Sequence, residues 1–341
     1  MLADLVTARR QKADQVIVFF VDEYFEHDQF FIEKLPVGRT DILHFVPTAH
    51  EPTTEQIDEY TMALKERCGS LIKGIVTIGG GTTMDIGKAV ANMLTNDGKA
   101  EDYQGWDLVK SPGVYKIAIP TISGTGAEAT RTCVMTNKKT GLKLGMNSDF
   151  TVYDQIILDP DLTATVPKNQ YFWTGMDAYI HCMESLDGHY RNSIGDAFSR
   201  ESLRLCREVF GGEMKSAESR EKLMVASYLG GCAIATSYVG VIHPFSAALS
   251  VVYGMHHCVA NCVVLKAMGE FYPEAHWEFS EFVSKQGVDI PQGVCRGAAA
   301  DEFEQLYKAT IIHEKPLTNA LGTEFRKILT PTKVRELFSR M

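Results

Sequence analysis

The chain has 341 residues, of which 45% are hydrophobic and 23% are charged, a composition typical of a globular protein with room for two domains. Its formal net charge of −9 argues against general affinity for nucleic acid, because phosphate binding requires an excess of lysine and arginine. No apolar stretch reaches the roughly 18 residues of a membrane-spanning helix, and the N-terminus lacks a secretory leader pattern. We therefore expect neither a nucleic-acid partner nor a membrane partner.

The first part of the chain alternates between strand and helix patterns. "QVIVFFVD" (15–22) predicts a buried parallel strand, because a continuous apolar run that ends in an acid is typical of one. "DILHFVP" is a second strand candidate. A helix is predicted from Thr53, where Thr53 and Gln56 can form a capping box. "KGIVTIGGGTTMDIGKAVANML" and "YKIAIPTISGTGAEAT" then each predict a strand, a glycine loop and the start of a helix. This order indicates a doubly wound, Rossmann-like α/β domain over residues 1–160.

After "IILDPDLTATVP" the pattern becomes helical. No strand pattern interrupts it, so we expect an all-helical second domain over residues 161–341. The predicted helices cover residues 169–187, 194–210, 218–238, 254–270, 275–286 and 300–312.

Two glycine-containing loops follow neighbouring predicted strands. In "GGGTTMD", the N–H groups of Gly79, Gly80 and Gly81 can point at a pyrophosphate on the following helix N-terminus. The spacing is not G-x-G-x-x-G, so a plain strand-to-helix turn is the alternative. The second loop, "TISGTG", favours phosphate binding, because loops at the carboxyl edge of one sheet can hold one dinucleotide.

Asp22 ends the first predicted strand. An acid at this position can accept hydrogen bonds from the hydroxyls of an adenosine ribose and repel a 2′-phosphate. The residue therefore predicts NAD rather than NADP as the cofactor. A solvated loop aspartate is the alternative.

"GMDAYIHCMES" places Asp177 and His181 four residues apart, on one face of a helix and about one turn from each other. Two side chains at this separation can bind one metal ion, and a hydrogen-bonded pair inside the core is the alternative. His243 in "GVIHPFS" and His257 in "GMHHCVANC" supply two further candidate ligands in the same domain. Gly254 predicts a loop between them.

The eight cysteines include no C-x-x-C pair, which indicates reduced thiols in a cytoplasmic protein. Cys258 and Cys262 lie four residues apart beside a histidine, so a thiolate metal site is conceivable. The lack of a second cysteine pair at zinc-site spacing favours a core-filling role for both.

Five motifs, in this order, resemble the iron-containing (group III) alcohol dehydrogenases: "GGGTTMDIGKAV", "PTISGTGAEAT", "ILDPDLTATVP", "TGMDAYIHCMES" and "HCVAN". The resemblance implies a dehydroquinate synthase-like architecture, in which a dinucleotide-binding domain precedes a helical domain that binds metal and substrate. It implies NAD and a divalent metal, Fe²⁺ or Zn²⁺, as cofactors. A homodimer is also expected.

The resemblance also implies roles for individual residues. His257 is preferred to His256 as a ligand because it directly precedes "CVAN". The implied metal ligands, which are also the implied catalytic residues, are Asp177, His181, His243 and His257. The implied cofactor-contacting residues are Gly79, Gly80, Gly81, Asp85, Thr121, Thr125 and Lys143.

Three features depart from the family pattern. The chain begins late and lacks the family's first strand and its Phe-Gly-x-Gly turn, so either the start is truncated or the sheet edge is built differently. Ala247 occupies the position at which many members carry a further active-site histidine. His256 beside the last ligand is unusual, and it either replaces that histidine as a proton relay or lies on the surface.

The reaction implied by the resemblance is oxidation of a primary alcohol, in which the metal lowers the pKa of the hydroxyl and NAD accepts hydride. Whether oxygen is the final acceptor is left open by the residues. One alternative is a dehydroquinate synthase-like lyase, although that family typically has a glutamate at the position of Asp177. A closed structural metal site is another alternative.

The substrate is expected to be an anionic sugar acid. "QGVDIPQGVC" and "HEKPLTNALG" resemble the branch that oxidises 3-deoxy-D-manno-octulosonate at its terminal hydroxyl, in lipopolysaccharide sugar biosynthesis. Arg131 and Arg191 are candidate partners for a substrate carboxylate, and His256 is a third candidate substrate residue. Small alcohols, diols and lactaldehyde are the alternative substrates.

Overall fold

The computed structural model describes residues 1–341 and divides into two compact units. The first comprises residues 1–121 and 127–159, and we call it the α/β unit. The second comprises residues 122–126 and 160–341, and we call it the helical unit. A parallel sheet in the first and helices alone in the second confirm the predicted fold class.

The α/β unit contains a five-stranded parallel sheet in the order β2-β1-β3-β5-β8 and a three-stranded sheet in the order β4-β7-β6. Its elements are α1 (Leu2–Arg9), β1 (Val16–Asp22), α2 (Gln29–Ile32), β2 (Ile42–Val46), α3 (Thr54–Arg67), β3 (Ile72–Gly79), α4 (Gly81–Met93), β4 (Gly105–Trp106), β5 (Lys116–Pro120), β6 (Thr132–Asn137), β7 (Leu142–Asn147) and β8 (Gln155–Ile156).

The central strands form where the sequence predicts them. All of β1 except its last residue, Asp22, is buried, as expected for a strand that is covered on both faces. The helix predicted from Thr53 is α3, and the Thr53 hydroxyl caps it by accepting a hydrogen bond from the Gln56 N–H at 3.2 Å.

The helix predicted to start after "TISGTG" does not form, and that prediction was wrong. The chain instead makes a turn and enters the antiparallel hairpin of β6 and β7. Alternating buried and half-buried residues in β6 suit a strand, and Gly141, with φ +66°, lies in the connecting turn. The hairpin is attached to α4 by the Asp85 carboxylate, which accepts a hydrogen bond from the Val134 N–H at 2.9 Å.

The helical unit consists of ten helices and the short segment 122–126. The helices are α5 (Lys168–Asp187), α6 (Ser193–Gly211), α7 (Ala217–Ser237), α8 (Ile242–Tyr253), α9 (His257–Ala267), α10 (Pro273–Gln286), α11 (Ala300–Ile311), α12 (Glu314–Leu321), α13 (Phe325–Ile328) and α14 (Pro331–Ser339). No single helix combines the length and apolar character needed to cross a membrane, and only α7 with α8, bent by 105° between them, meets that test as a pair.

The segment around His243 differs from the prediction. The sequence predicts no helix between residues 238 and 254, whereas the structure forms α8 there, and the helix predicted over 254–270 forms as α9. Pro244 is compatible with α8 because it lies in the first turn, where backbone N–H groups have no intrahelical acceptor. Gly254 ends α8 in the left-handed conformation, with φ +65°, which produces the predicted loop.

Helix α5 is the centre of the helical unit. Every residue from 174 to 185 is buried, including Asp177, His181 and Glu184. Ionisable side chains are rarely buried unless they are paired or bind a metal. The polar residues of α5 therefore need partners inside the core.

Gly124 should be intolerant of any side chain, because it packs directly on α5. A Cβ atom there would lie 1.6 Å from the carbonyl oxygen of Thr174, and its φ of +153° is unfavourable for other residues. We expect Gly124→Ala to lower the stability by about 3 kcal/mol or more, a fall of roughly 6 °C in melting temperature. Gly211→Ala is the matched control, since no atom lies within 4 Å of its added Cβ. Equal melting temperatures for the two variants would contradict this packing.

Candidate active site

Four candidate ligands converge inside the helical unit. Asp177 and His181 lie on one face of α5, as their spacing predicts, while His243 is in the first turn of α8 and His257 begins α9. The Oδ1 atom of Asp177 lies 3.5 Å from Nε2 of His181, 3.4 Å from Nε2 of His243 and 3.8 Å from Nε2 of His257. Three imidazoles thus face one fully buried carboxylate oxygen.

This donor set fits a divalent transition metal. One carboxylate and three imidazoles suit iron or zinc. Donor atoms of Asp177, His181 and His243 all lie within 4.8 Å of one another. The Nε2 atom of His243 is buried and makes no hydrogen bond. Buried polar atoms normally have a partner, so this nitrogen is available to bind a metal. A simple hydrogen-bonded pair of Asp177 and His181 does not account for the other two imidazoles.

Burial and charge set the protonation of these groups. Burial raises the pKa of Asp177, but the imidazoles of His181, His257 and His243 outweigh it and hold the pKa well below its usual range. Burial lowers the pKa of His181 to about 4, so this imidazole is neutral at neutral pH. An ionised carboxylate and a neutral imidazole are the forms that bind metal. Burial lowers the pKa of His243, but the Glu184 and Asp177 carboxylates outweigh it and raise the pKa to about 9, so His243 releases a proton when a metal binds.

Three further residues contact the candidate ligands, and two of them, Glu184 and Asn261, have no role predicted from the sequence. Glu184 accepts a hydrogen bond from Nδ1 of His243 at 2.5 Å. The side-chain amide of Asn261 donates to Oδ1 of Asp177 at 2.6 Å, and the Cys258 thiol donates to Oδ2 at 3.7 Å. Helical spacing could have identified two of them, because Glu184 follows His181 by three residues and Asn261 follows His257 by four.

The residues considered as alternatives take other positions. The thiol of Cys262 donates to the backbone carbonyl of Trp173 at 3.9 Å, whereas Cys258 faces Asp177, so the two cysteines do not form a joint thiolate site. His256 is exposed immediately before α9. Ala247 is buried on α8 and supplies no titratable group.

The glycine loop of the α/β unit has the geometry expected for close backbone approach. Gly79 ends β3, Gly80 precedes α4, and Gly81 is the first residue of α4. A Cβ atom at Gly79 would lie 2.6 Å from the Thr83 hydroxyl, so no larger residue fits without displacement. The Thr121 N–H donates to the Gly79 carbonyl at 3.0 Å, which places the start of the second loop beside the first.

Asp22 lies at the same sheet edge, because β1 and β3 are neighbours in the sheet. Burial raises the pKa of Asp22, while hydrogen bonds from Tyr24, Thr48 and the Gly80 N–H lower it, and the net shift is upward. Its Oδ1 atom accepts from the Tyr24 N–H at 3.0 Å. The carboxylate is thus held next to the glycine loop, where an adenosine ribose would lie.

Other predicted cofactor residues have partners within their own unit. Asp85 binds the hairpin backbone as described, and Lys143 is buried and pairs with Glu51 at 2.8 Å. Thr125 belongs to the helical unit, whereas Thr121 belongs to the α/β unit. Asp85 and Lys143 therefore make contacts within the α/β unit, and their role in cofactor binding stays a prediction.

Both arginines predicted to bind a substrate carboxylate are already paired with acids of the chain. Arg131 pairs with Asp107 and, at 2.9 Å, with Asp149. Arg191 makes a two-point contact with Asp196, with distances of 2.7 Å from both Nε and Nη2. The sequence could not reveal these acids as partners, and neither guanidinium supports the sugar-acid assignment.

Comparison with known proteins matches nearly the whole chain. The profile described as "Iron-containing alcohol dehydrogenase" matches residues 16–160, and that described as "Fe-containing alcohol dehydrogenase family, C-terminal" matches residues 172–318. A sulfoacetaldehyde reductase of Bilophila wadsworthia (strain 3_1_6) is 33% identical over 67% of this chain. An NAD-dependent methanol dehydrogenase of Bacillus methanolicus is 30% identical over 76% of this chain and 68% of its own length.

The match spans only 59% of the length of the sulfoacetaldehyde reductase. Among solved structures, a 1,3-propanediol oxidoreductase superposes with a TM-score of 0.82, with 98% of this chain and 94% of that chain covered. Its sequence identity is 23%, so it supports the fold alone.

Removing a ligand should remove the metal. We expect Asp177→Ala and His257→Ala to be purified without stoichiometric metal, because each deletes one donor from a four-donor set. His256→Ala is the control, since its exposed side chain lies outside the cluster and its loss should leave metal content unchanged. Metal analysis of the purified proteins decides between them. Loss of metal from His256→Ala but not from His257→Ala would show that the ligand is the neighbouring histidine.

Proposed function

We propose a function from one premise: the chain belongs to the iron-containing alcohol dehydrogenase family. It transfers hydride between a primary alcohol and NAD at a divalent metal, which gives an aldehyde, or the reverse. The observation that carries the proposal is the convergence of three imidazole Nε2 atoms on the buried Oδ1 of Asp177. A site of this composition accepts a catalytic metal.

The residues of the chain divide the chemistry between them. A bound divalent ion supplies a Lewis acid that lowers the pKa of an alcohol, and bound NAD supplies the hydride acceptor. Asp177, His181, His243 and His257 would hold the ion. The Asp177 carboxylate supplies negative charge in a position that water does not reach, since its side chain is fully buried. The N–H groups of the glycine loop at the start of α4 would bind the pyrophosphate of NAD.

NAD is proposed as the cofactor because Asp22 lies beside the glycine loop. Two carboxylate oxygens there favour ribose hydroxyls over a 2′-phosphate, which would be repelled. The relative from Bacillus methanolicus, named as NAD-dependent, agrees with this choice. The free cysteines support a cytoplasmic location as part of the proposal. The family resemblance supports a homodimer.

The proposed substrate is an anionic sugar acid such as 3-deoxy-D-manno-octulosonate, oxidised at its terminal hydroxyl. The segment "HEKPLTNALG", which carries part of the resemblance to that branch, adjoins the loop that leads into His243. Its Asn319 amide donates to the carbonyls of Ser237 and Val239, both at 3.0 Å. Lys315 in the same segment lies 4.1 Å from the centre of the Tyr238 ring. The cation of Lys315 and the hydroxyl of Tyr238 close to this loop suit a polyhydroxylated anion.

Small alcohols or aldehydes are the second candidate class. The relatives named as sulfoacetaldehyde reductase and methanol dehydrogenase favour it. A lyase like dehydroquinate synthase is less well supported, because the metal motif has Asp177 where that family typically has glutamate.

Substrate preference can be measured directly. With metal-loaded protein and NAD, we expect a higher kcat/KM for 3-deoxy-D-manno-octulosonate than for three small alcohols. These are 1-propanol, 1,2-propanediol and the alcohol that is formed when sulfoacetaldehyde is reduced. NADH and hydrogen peroxide are monitored together. Formation of hydrogen peroxide without net formation of NADH would show that oxygen is the acceptor. Higher kcat/KM values for the small alcohols would overturn the sugar-acid assignment, but the proposed reaction class, alcohol oxidation, would stand. A lyase would accumulate no NADH with any of these alcohols.

Cofactor preference should depend on Asp22. We expect Asp22→Asn to raise the affinity for NADP relative to NAD by at least about tenfold, because it removes the charge that repels the 2′-phosphate. Glu26→Gln is the control, since this nearby acid is exposed and lies outside the strand end. Titration of each variant with both cofactors gives the ratio. An unchanged ratio would show that the Asp22 carboxylate does not face the ribose.

A further inference from the structure

Glu184 is a buried carboxylate that none of the predicted roles includes. Its side chain is fully buried in α5, and both oxygens contact the start of α8. Oε2 accepts from Nδ1 of His243 at 2.5 Å, and Oε1 accepts from the Ile242 N–H at 2.5 Å. The carboxylate therefore fixes both the backbone and the imidazole of the residue pair that presents His243.

Helix α5 provides this contact through its periodicity. Glu184 follows Asp177 by seven residues and His181 by three, so all three project from one face of the helix. The space behind Glu184 is closed as well. A Cβ atom at Gly240 would lie 2.5 Å from the Tyr272 hydroxyl and 3.1 Å from Oε1 of Glu184. One helix thus supplies two metal ligands and the residue that orients a third.

The hydrogen bond determines which nitrogen of His243 is available. A carboxylate can only accept, so Nδ1 must carry the proton in the Glu184 contact. In the neutral imidazole the lone pair is then on Nε2, which lies 3.4 Å from Oδ1 of Asp177. A carboxylate behind a ligating histidine in this way fixes its tautomer and increases its basicity.

Charge balance points in the same direction. Every ion-pair contact of Asp177 and Glu184 is with a histidine, and neither pairs with a lysine or arginine. Even one protonated histidine leaves two buried carboxylates with net negative charge, which is unfavourable in a core. A divalent ion between the histidines makes the total charge of the cluster zero.

We propose that Glu184 is a positioning residue, which holds His243 in its metal-binding tautomer and, with Asp177, balances the charge of a divalent ion. The proposal rests on the metal site that the proposed function also uses. It assigns no contact between Glu184 and the substrate.

The test is metal affinity, measured without turnover. We expect Glu184→Gln to weaken Zn²⁺ binding 10- to 100-fold in a competition titration of the apoprotein against a chelator. Glu278→Gln is the matched control, since Glu278 pairs with Arg207 in the same unit and should leave the affinity unchanged. Affinity of Glu184→Gln within twofold of wild type would overturn the proposal. Wild-type protein that binds no metal would overturn the proposed function instead.

A measurement on the wild type covers the case in which Glu184→Gln does not fold. In ¹⁵N spectra of the histidine side chains of the Zn²⁺-loaded protein, the resonances lost in His243→Gln identify His243. We expect its Nδ1 to be protonated and its Nε2 to be metal-bound. A metal-bound Nδ1 with a protonated Nε2 would contradict the assigned role of Glu184.

Discussion

The helical unit depends on one buried charge, the carboxylate of Asp177. Taking a carboxylate out of water costs several kcal/mol unless opposite charge and hydrogen bonds compensate for it. Here the Asn261 amide of α9 donates a hydrogen bond to the carboxylate, His181 of α5 lies beside it, and α8 and α9 bring His243 and His257 to it. The packing of α8 and α9 on α5 and the composition of the metal site therefore depend on the same contacts.

The α/β unit contains a comparable case. Lys88 on α4 is fully buried, and its ammonium group donates to the carbonyls of Thr130 and Thr132 at 2.8 and 2.9 Å and to the Thr130 hydroxyl at 3.0 Å. All three donor hydrogens are used, so this lysine is satisfied by backbone and hydroxyl oxygens. Asp177 differs because its partners are the imidazoles that we propose as metal ligands, which is why it indicates a candidate reactive centre and Lys88 indicates a structural one.

Local sequence patterns predicted what depends on local periodicity. The strand ending at Asp22, the glycine loop before α4 and the shared face of Asp177 and His181 follow from apolar runs and helical spacing. The hairpin of β6 and β7 was missed because the glycine loop before it suggested a second strand-loop-helix unit. The pairing of Arg131 with Asp107 and Asp149 was not predicted for a different reason, since these acids are distant in sequence and only the tertiary fold brings them together.

A metal held by one carboxylate and three imidazoles is tested most directly by X-ray absorption at the metal edge. For protein loaded with Zn²⁺, we expect one ion per chain and a first shell of nitrogen and oxygen only, at about 2.0–2.1 Å, with scattering from about three imidazole rings. A sulfur scatterer at about 2.3 Å would place Cys258 in the first shell and contradict the assigned ligand set. Absence of a stoichiometric ion would contradict the metal site itself.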